Sequence, residues 1–132
     1  MSDSLREPFA IDLTELSDGV YLVAISGEMD IATSPELTSR LSTVRGPTPY
    51  RVLVDLSNLT FIDSTGIKAL GSAAKDLEGH GGTLVVFAPT ANVRRVFDIV
   101  NFSEVVPIVE SLDAAISAAS AADGGAAPAL GE

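Results

Sequence analysis

The chain has 132 residues, with 18 acidic and 8 basic side chains and a formal net charge of −10. This length is typical of one domain that buries roughly two-thirds of its unfolded surface. The chain has no cysteine and a single histidine, which excludes disulfides, thiolate metal sites and a cysteine nucleophile and argues against metal catalysis. Because an acidic surface repels phosphate backbones, we expect no nucleic-acid contact, and the expected partners are proteins. We also expect no cofactor and no metal.

The two terminal segments predict no folded element. Residues 1–8 lack the basic flank and the apolar run of a signal peptide, and no apolar stretch approaches the ~18 residues needed to span a bilayer. From Ala121 onward the chain is rich in alanine, with Gly124–Gly125 and Pro128 as helix breakers. We therefore expect a flexible segment at 1–8, one domain at 9–120, a disordered tail at 121–132 and a cytoplasmic location.

The first half of the domain predicts two antiparallel strands and a helix. Apolar residues alternate from Phe9, and Asp18–Gly19 then forms a tight turn before a strand at 20–25. Ser34 is predicted as an N-cap because proline follows it at the first helical position, and Gly46–Pro47 is the predicted stop.

The second half predicts alternating strands and helices. Pro107 indicates that the last strand is an edge strand, because proline cannot donate to a ladder. Short crossover helices between strands favour parallel pairing. The sequence therefore predicts an α/β domain of order β-β-α-β-α-β-α-β-α, with a mixed four- to five-stranded sheet and helices packed against it. The remaining elements are strands at 51–56, 83–88 and 105–109 and helices at 64–78, from Thr90, and from Ser111 to about Ser120.

The segment Asp63-Ser64-Thr65-Gly66 lies where the third strand gives way to a helix. Phe61 and Ile62 before it are expected to enter the core. Two interpretations remain open at this point. The polar residues can be ordinary helix caps, or an anion on Ser64 or Thr65 can be stabilised by the unpaired N–H groups and the positive dipole of the helix N-terminus.

Other polar residues suggest little chemistry. A serine hydrolase is disfavoured because Ser64 lacks the glycine of a nucleophile elbow and His80 lies roughly 20 Å away along the same helix. Glycines surround His80, which is predicted to be an exposed turn residue. Arg94–Arg95 favours a solvated helix face. Glu28 and Asp30 after the second strand form either a polar loop or a patch for a basic partner.

Taken together, four segments resemble a STAS domain of the anti-sigma factor antagonist family, over about residues 9–120. They are Gly27-Glu28-Met29-Asp30, Val54-Asp55-Leu56-Ser57, Phe61-Ile62-Asp63-Ser64-Thr65-Gly66 and Val93-Arg94-Arg95-Val96-Phe97.

This resemblance implies a regulatory binding protein, not an enzyme. In the family, the unphosphorylated domain binds an anti-sigma factor that is also a serine kinase, and this binding frees a sigma factor. Phosphorylation ends the interaction until a phosphatase restores it, and free members are mostly monomers. The accepting serine corresponds to Ser64. The residues implied in partner binding are Glu28 and Asp30 in an acidic loop, Asp63 and Thr65 beside the serine, and Gly66, which shapes the start of the helix.

The resemblance leaves an alternative function open. A stand-alone STAS subunit of an ABC-type membrane transport complex would have the same fold and would bind an ATPase component without phosphoryl transfer. The intact Asp-Ser-Thr-Gly run favours the first function.

Overall fold

The predicted order of elements is confirmed by the computed structural model, which describes residues 8–44, 46 and 49–126, the last six of these as backbone only. Within these residues five strands and four α-helices follow the order β-β-α-β-α-β-α-β-α. The elements are β1 (Ala10–Ser17), β2 (Val20–Met29), α1 (Ser34–Leu41), β3 (Tyr50–Ile62), α2 (Ser64–Gly79), β4 (Gly82–Phe87), α3 (Ala91–Ile99), β5 (Ile108–Val109) and α4 (Leu112–Ala126).

The five strands form one mixed sheet in the order β1-β2-β3-β4-β5. The β1–β2 pair is antiparallel and the other three pairs are parallel. Gly19 in the β1–β2 turn has φ +73°, a left-handed conformation that glycine adopts without steric cost. The parallel pairing matters for function, because it brings the carboxyl ends of β2 and β3 to the same edge of the sheet.

Helices cover both faces of the sheet. The buried faces of α1, α2 and α3 pack on the side to which Val52 and Val54 point, whereas α4 packs on the side of Leu53. Neighbouring side chains of a strand point to opposite faces, so a run buried on both sides reads as continuously apolar. This explains why residues 52–54 of β3 are all fully buried.

Strand β3 is longer than predicted. It continues past Leu56 to Ile62, and Ser57 and Asn58 are exposed within it. Ile62 enters the core as expected, but Phe61 is 46% exposed. The reason is a register shift: Gly27 pairs with Leu59 while Glu28 pairs with Phe61, which leaves Thr60 as an extra residue. Such a bulge redirects the side chains that follow it.

The start of α1 also differs from the prediction. Thr33, not Ser34, is the N-cap residue, and its side chain makes no capping bond. Ser34 is the first helical residue and is 4% exposed. The Asp30 carboxylate instead stabilises the loop before the helix, where it accepts from the N–H groups of Ala32 and Thr33.

The C-terminal part contains two further corrections. The last strand comprises only Ile108–Val109, because residues 102–104 form a 3₁₀ turn, although its edge position is confirmed. Helix α4 begins as predicted, with Ser111 Oγ accepting from the N–H of Ala114 at 3.1 Å, but it ends at Ala126 instead of Ser120. Residues 121–126 of the expected tail are therefore helical, while 1–7 and 127–132 lie outside the described residues. Alanine is the best helix former, which outweighs the two glycines.

Candidate functional site

The carboxyl ends of β2 and β3 place the acidic loop beside the Asp-Ser-Thr-Gly segment. Met29 and Ile62 are direct partners in the parallel register. The backbone N–H of Asp63 donates to the carbonyl of Met29 at 3.1 Å, which extends the pairing by one residue. Glu28 and Asp30 thus lie next to residues 63–65, although the two segments are more than thirty positions apart in the sequence.

Asp63 is the N-cap of α2. Its extended backbone, with φ −110° and ψ −174°, lets one carboxylate oxygen accept from the N–H of Gly66 at 3.0 Å. Its carbonyl accepts the first intrahelical bond, from the N–H of Ile67. The N–H groups of Ser64 and Thr65 belong to the first turn, where a helix offers no internal acceptor. Asp63 therefore fixes the turn and leaves these two donors at the surface end of the helix.

Ser64 is the first residue of α2 and is exposed. Its hydroxyl makes no hydrogen bond with any residue that the structure describes. Thr65 is partly buried and faces α1, and Lys68 is exposed one turn further along α2. Of the two hydroxyls, that of Ser64 is therefore the more open to an approaching enzyme.

Gly66 is buried at the start of α2 and supports the site from within; its part in partner binding stays a prediction. A Cβ at this position would lie 2.7 Å from Ile62 Cγ1 and 3.1 Å from both Met29 Cγ and the Met29 carbonyl oxygen. The first separation is shorter than real Cβ contacts and the other two are tighter than most of them, so a larger residue would force the first turn of α2 away from the ends of β2 and β3.

Asp30 organises the acidic loop. Its Oδ1 accepts from the N–H groups of Ala32 and Thr33 at 3.0 and 3.1 Å, and its backbone N–H donates to Thr33 Oγ1. Thr33 Oγ1 in turn donates to the carbonyl of Glu28 at 2.9 Å. The Asp30 carboxylate thus has a structural function in the loop, whereas Glu28 contributes a half-buried side chain beside Phe61.

Two exposed apolar residues flank the polar groups and were missed from the sequence. Ile31 is 75% exposed beside Asp30, and Phe61 is 46% exposed beside Glu28. A lone large apolar residue inside a polar loop was the available signal for Ile31. Phe61 offered none, because its orientation depends on the bulge at Thr60. Exposed aromatic and large apolar side chains bordered by polar groups are typical of protein interfaces.

The remaining predicted polar residues lie elsewhere. His80 is exposed at the far end of α2, with its ring near the carbonyl of Asp76. Arg94 pairs with Glu110, and Arg95 is exposed on α3. The part of the chain that the structure describes contains no cluster of three metal-ligating side chains and no helix long and apolar enough to cross a membrane.

Comparisons with known proteins agree with this geometry. A family model described as "STAS domain" matches residues 13–115. BtrV of Bordetella bronchiseptica, a candidate anti-sigma factor antagonist, is 31% identical over 101 residues, which cover 76% of this chain and 87% of BtrV. The anti-sigma-B factor antagonist of Staphylococcus epidermidis is 29% identical over 96 residues, covering 73% and 89%. The crystal structure of an anti-sigma factor antagonist from Mycobacterium paratuberculosis superposes with a TM-score of 0.75 at 28% identity, covering 86% and 95%.

Proposed function

The chain belongs to the STAS domain family, and on that premise we propose that it is an anti-sigma factor antagonist that works by partner switching. The unphosphorylated protein binds an anti-sigma factor that is also a serine kinase and so releases a sigma factor. Phosphorylation of Ser64 ends the binding, and a serine phosphatase restores it. The protein is a cytoplasmic regulatory binding protein and kinase substrate, monomeric when free, and it performs no catalysis itself.

The exposed hydroxyl of Ser64 is the observation that carries this proposal. It lies on the first residue of a helix, in a turn that Asp63 and Gly66 fix, with no intramolecular bond to the described residues that a kinase would have to break. The relatives that match this chain over most of their length bear the name anti-sigma factor antagonist. Family membership and an accessible acceptor at the matching position support the same function.

The charges around Ser64 suit a switch that acts on binding instead of folding. Asp63 directly precedes Ser64, and Glu28 and Asp30 lie at the neighbouring end of β2, so basic or polar groups of a kinase suit this surface. A phosphate adds about −1.5 to −2 charges. The helix N-terminus stabilises that charge within the protein, while the bulk of the phosphate obstructs a partner surface that fits the smaller, neutral hydroxyl.

A nucleophilic role for Ser64 has no support in the surrounding residues. Activation of a serine needs a base within hydrogen-bond reach, and the chain's one histidine lies at the opposite end of α2. The carboxylate of Asp63 is engaged with the N–H of Gly66. The hydroxyl is therefore better placed to receive a phosphoryl group than to attack a substrate.

The first test is phosphorylation by the cognate kinase. Incubation with the anti-sigma factor kinase of the same organism and ATP should add one phosphate by intact-protein mass spectrometry. Ser64→Ala should abolish the addition, whereas Thr65→Ala and Ser103→Ala, the latter an exposed serine in the 3₁₀ turn, should retain it. Full incorporation into Ser64→Ala would overturn the assignment of the acceptor.

The second test measures binding. Titration calorimetry with the same anti-sigma factor should show that Ser64→Asp weakens the affinity about 30- to 150-fold, the usual size of an allosteric or switching effect. Ser103→Asp, which adds the same charge at a distant exposed serine, should bind like the wild type. Equal affinities for wild type and Ser64→Asp would contradict the switch, and absence of wild-type binding would contradict the proposed partner.

A further inference from the structure

A groove between α1 and α2 opens next to Ser64. Its volume is about 420 Å³, and its walls come from the loop before α1, the first turns of α1 and the first two turns of α2. The lining residues that matter for recognition are Ile31, Ser34, Pro35, Thr65, Lys68 and Ala69.

Ser34 gives the groove an unusual floor. The residue is 4% exposed, and its Oγ atom has no hydrogen-bond partner among the described residues. Buried hydroxyls in folded proteins are nearly always bonded, because an unmade bond leaves the desolvation of the group uncompensated. The Oγ atom is closed off beneath the groove, so an occupant that brings a polar group can bond it once the Ser34 side chain rotates toward the groove.

Lys68 gives the groove its charge. It is exposed on the rim and forms no ion pair within the described part of the chain. No acidic residue lines this groove, although the protein carries a net charge of −10. Lys68 is therefore the one charged side chain among the described residues that line the groove, and it complements a negative group on a partner.

We propose that this groove receives a segment of the anti-sigma factor in which an Asp or Glu side chain stands next to an aliphatic one. The carboxylate pairs with Lys68, and it accepts from the Ser34 hydroxyl once that side chain has rotated toward the groove. The aliphatic side chain covers the apolar surface of Ile31, Pro35 and Ala69, of which Ile31 alone is 75% exposed. This inference rests on the proposed function, since it specifies how the same partner is held.

The groove also offers a reason why phosphorylation would release the partner. Ser64 and Lys68 are four residues apart on one helix, so their side chains are neighbours on its surface. A phosphate on Ser64 would attract the Lys68 ammonium through a charge-assisted bond. The phosphate and the partner's carboxylate would then compete for the Lys68 ammonium. In the phosphorylated protein, the positive charge of Lys68 would be neutralised by the phosphate.

Zero-length crosslinking tests the contact directly. A carbodiimide joins a lysine amine to a carboxylate only where the two touch. With the unphosphorylated protein and the cognate anti-sigma factor, mass spectrometry should identify a bond from Lys68 to an Asp or Glu of the partner. Lys75, an exposed lysine two turns further along α2 that does not line the groove, should form none. Crosslinks from Lys75 but not Lys68 would overturn the proposal.

Paired variants test whether the contact matters for affinity. Lys68→Glu should raise the Kd for the anti-sigma factor at least tenfold, whereas Lys75→Glu should change it less than threefold. Thr38→Trp, which fills the groove from α1, should weaken binding, whereas Ser39→Trp on the outer side of α1 should not. If Ser64→Asp weakens binding while both groove variants bind normally, the groove proposal is wrong and the proposed function stands. If the wild type does not bind the anti-sigma factor, both are wrong.

Discussion

Helices α1 and α2 both begin at the carboxyl edge of the sheet, and an aspartate organises the turn before each, but the two turns leave different surfaces. Before α1, Asp30 and Thr33 exchange bonds with each other, with Ala32 and with the Glu28 carbonyl. Before α2, the Asp63 carboxylate makes one capping bond, to Gly66. The first turn is closed by its own side chains, whereas the second presents the hydroxyl of Ser64 to solvent. Cap chemistry alone thus does not distinguish a structural turn from a modification site; what distinguishes them is the number of local bonds that use the hydroxyl.

The largest loss of stability is expected from a substitution that prevents the first turn of α2 from packing closely against the ends of β2 and β3. Gly66→Ala should lower the free energy of unfolding by about 2–3 kcal/mol, because the added Cβ would overlap Ile62 and the Met29 carbonyl. Urea denaturation followed by circular dichroism would measure it. Gly79→Ala is the matched control at the end of the same helix, where a Cβ meets nothing within 4 Å, and it should be neutral or slightly stabilising. Similar losses for both variants would show that helix α2 does not need the contact at Gly66.

The next largest loss of stability is expected from a substitution that removes the hydrogen bonds of the turn before α1. Asp30→Ala should destabilise the protein by about 2 kcal/mol, since it removes the acceptor for two backbone N–H groups. Asp30→Asn keeps an acceptor oxygen in the same position and should lose less than half as much. The same denaturation experiment separates the two variants. If Asn costs as much as Ala, the charge of Asp30 matters more than the hydrogen bonds that define the turn.

A smaller effect is expected at the cap of α2. Asp63→Ala removes a single side-chain bond to the Gly66 N–H and should cost about 1 kcal/mol, the usual value for an N-cap. Asp63→Ser, which can make the same bond, should restore most of it. The ranking of Asp30→Ala above Asp63→Ala is the direct test of the difference between the two turns. An equal cost would mean that the extra bonds at Asp30 add no stability.

The sequence predicted those features of the carboxyl edge of the sheet that depend on the types of neighbouring residues. The start of α2 at Ser64 and the edge position of the last strand followed from residue types and are confirmed, whereas the choice of Asp63 over Ser64 as the cap came from the structure. The neighbourhood of the acidic loop and Ser64 came only from the family resemblance, because it depends on parallel pairing across more than thirty residues. The outward orientation of Phe61 depends on a bulge opposite Gly27, and the burial of Ser34 depends on where α1 meets α2. Such tertiary features have no local signal.

The smallest effect on stability is expected at Ser64 itself, and it should accompany the largest effect on binding. The side chain is exposed and makes no bond with the described residues, so Ser64→Ala should change the free energy of unfolding by less than about 0.5 kcal/mol. Ser64→Asp should be neutral or stabilising by a few tenths of a kcal/mol, roughly what a negative charge gains at a helix N-terminus. Thermal unfolding monitored by circular dichroism would test both variants, with Asp63→Ala as the positive control. A marked destabilisation by Ser64→Asp would mean that a charge here perturbs the fold, and a phosphate would then act through unfolding. An unchanged melting temperature together with weakened partner binding would show that a negative charge at Ser64 changes the affinity for the partner without lowering the stability of the fold.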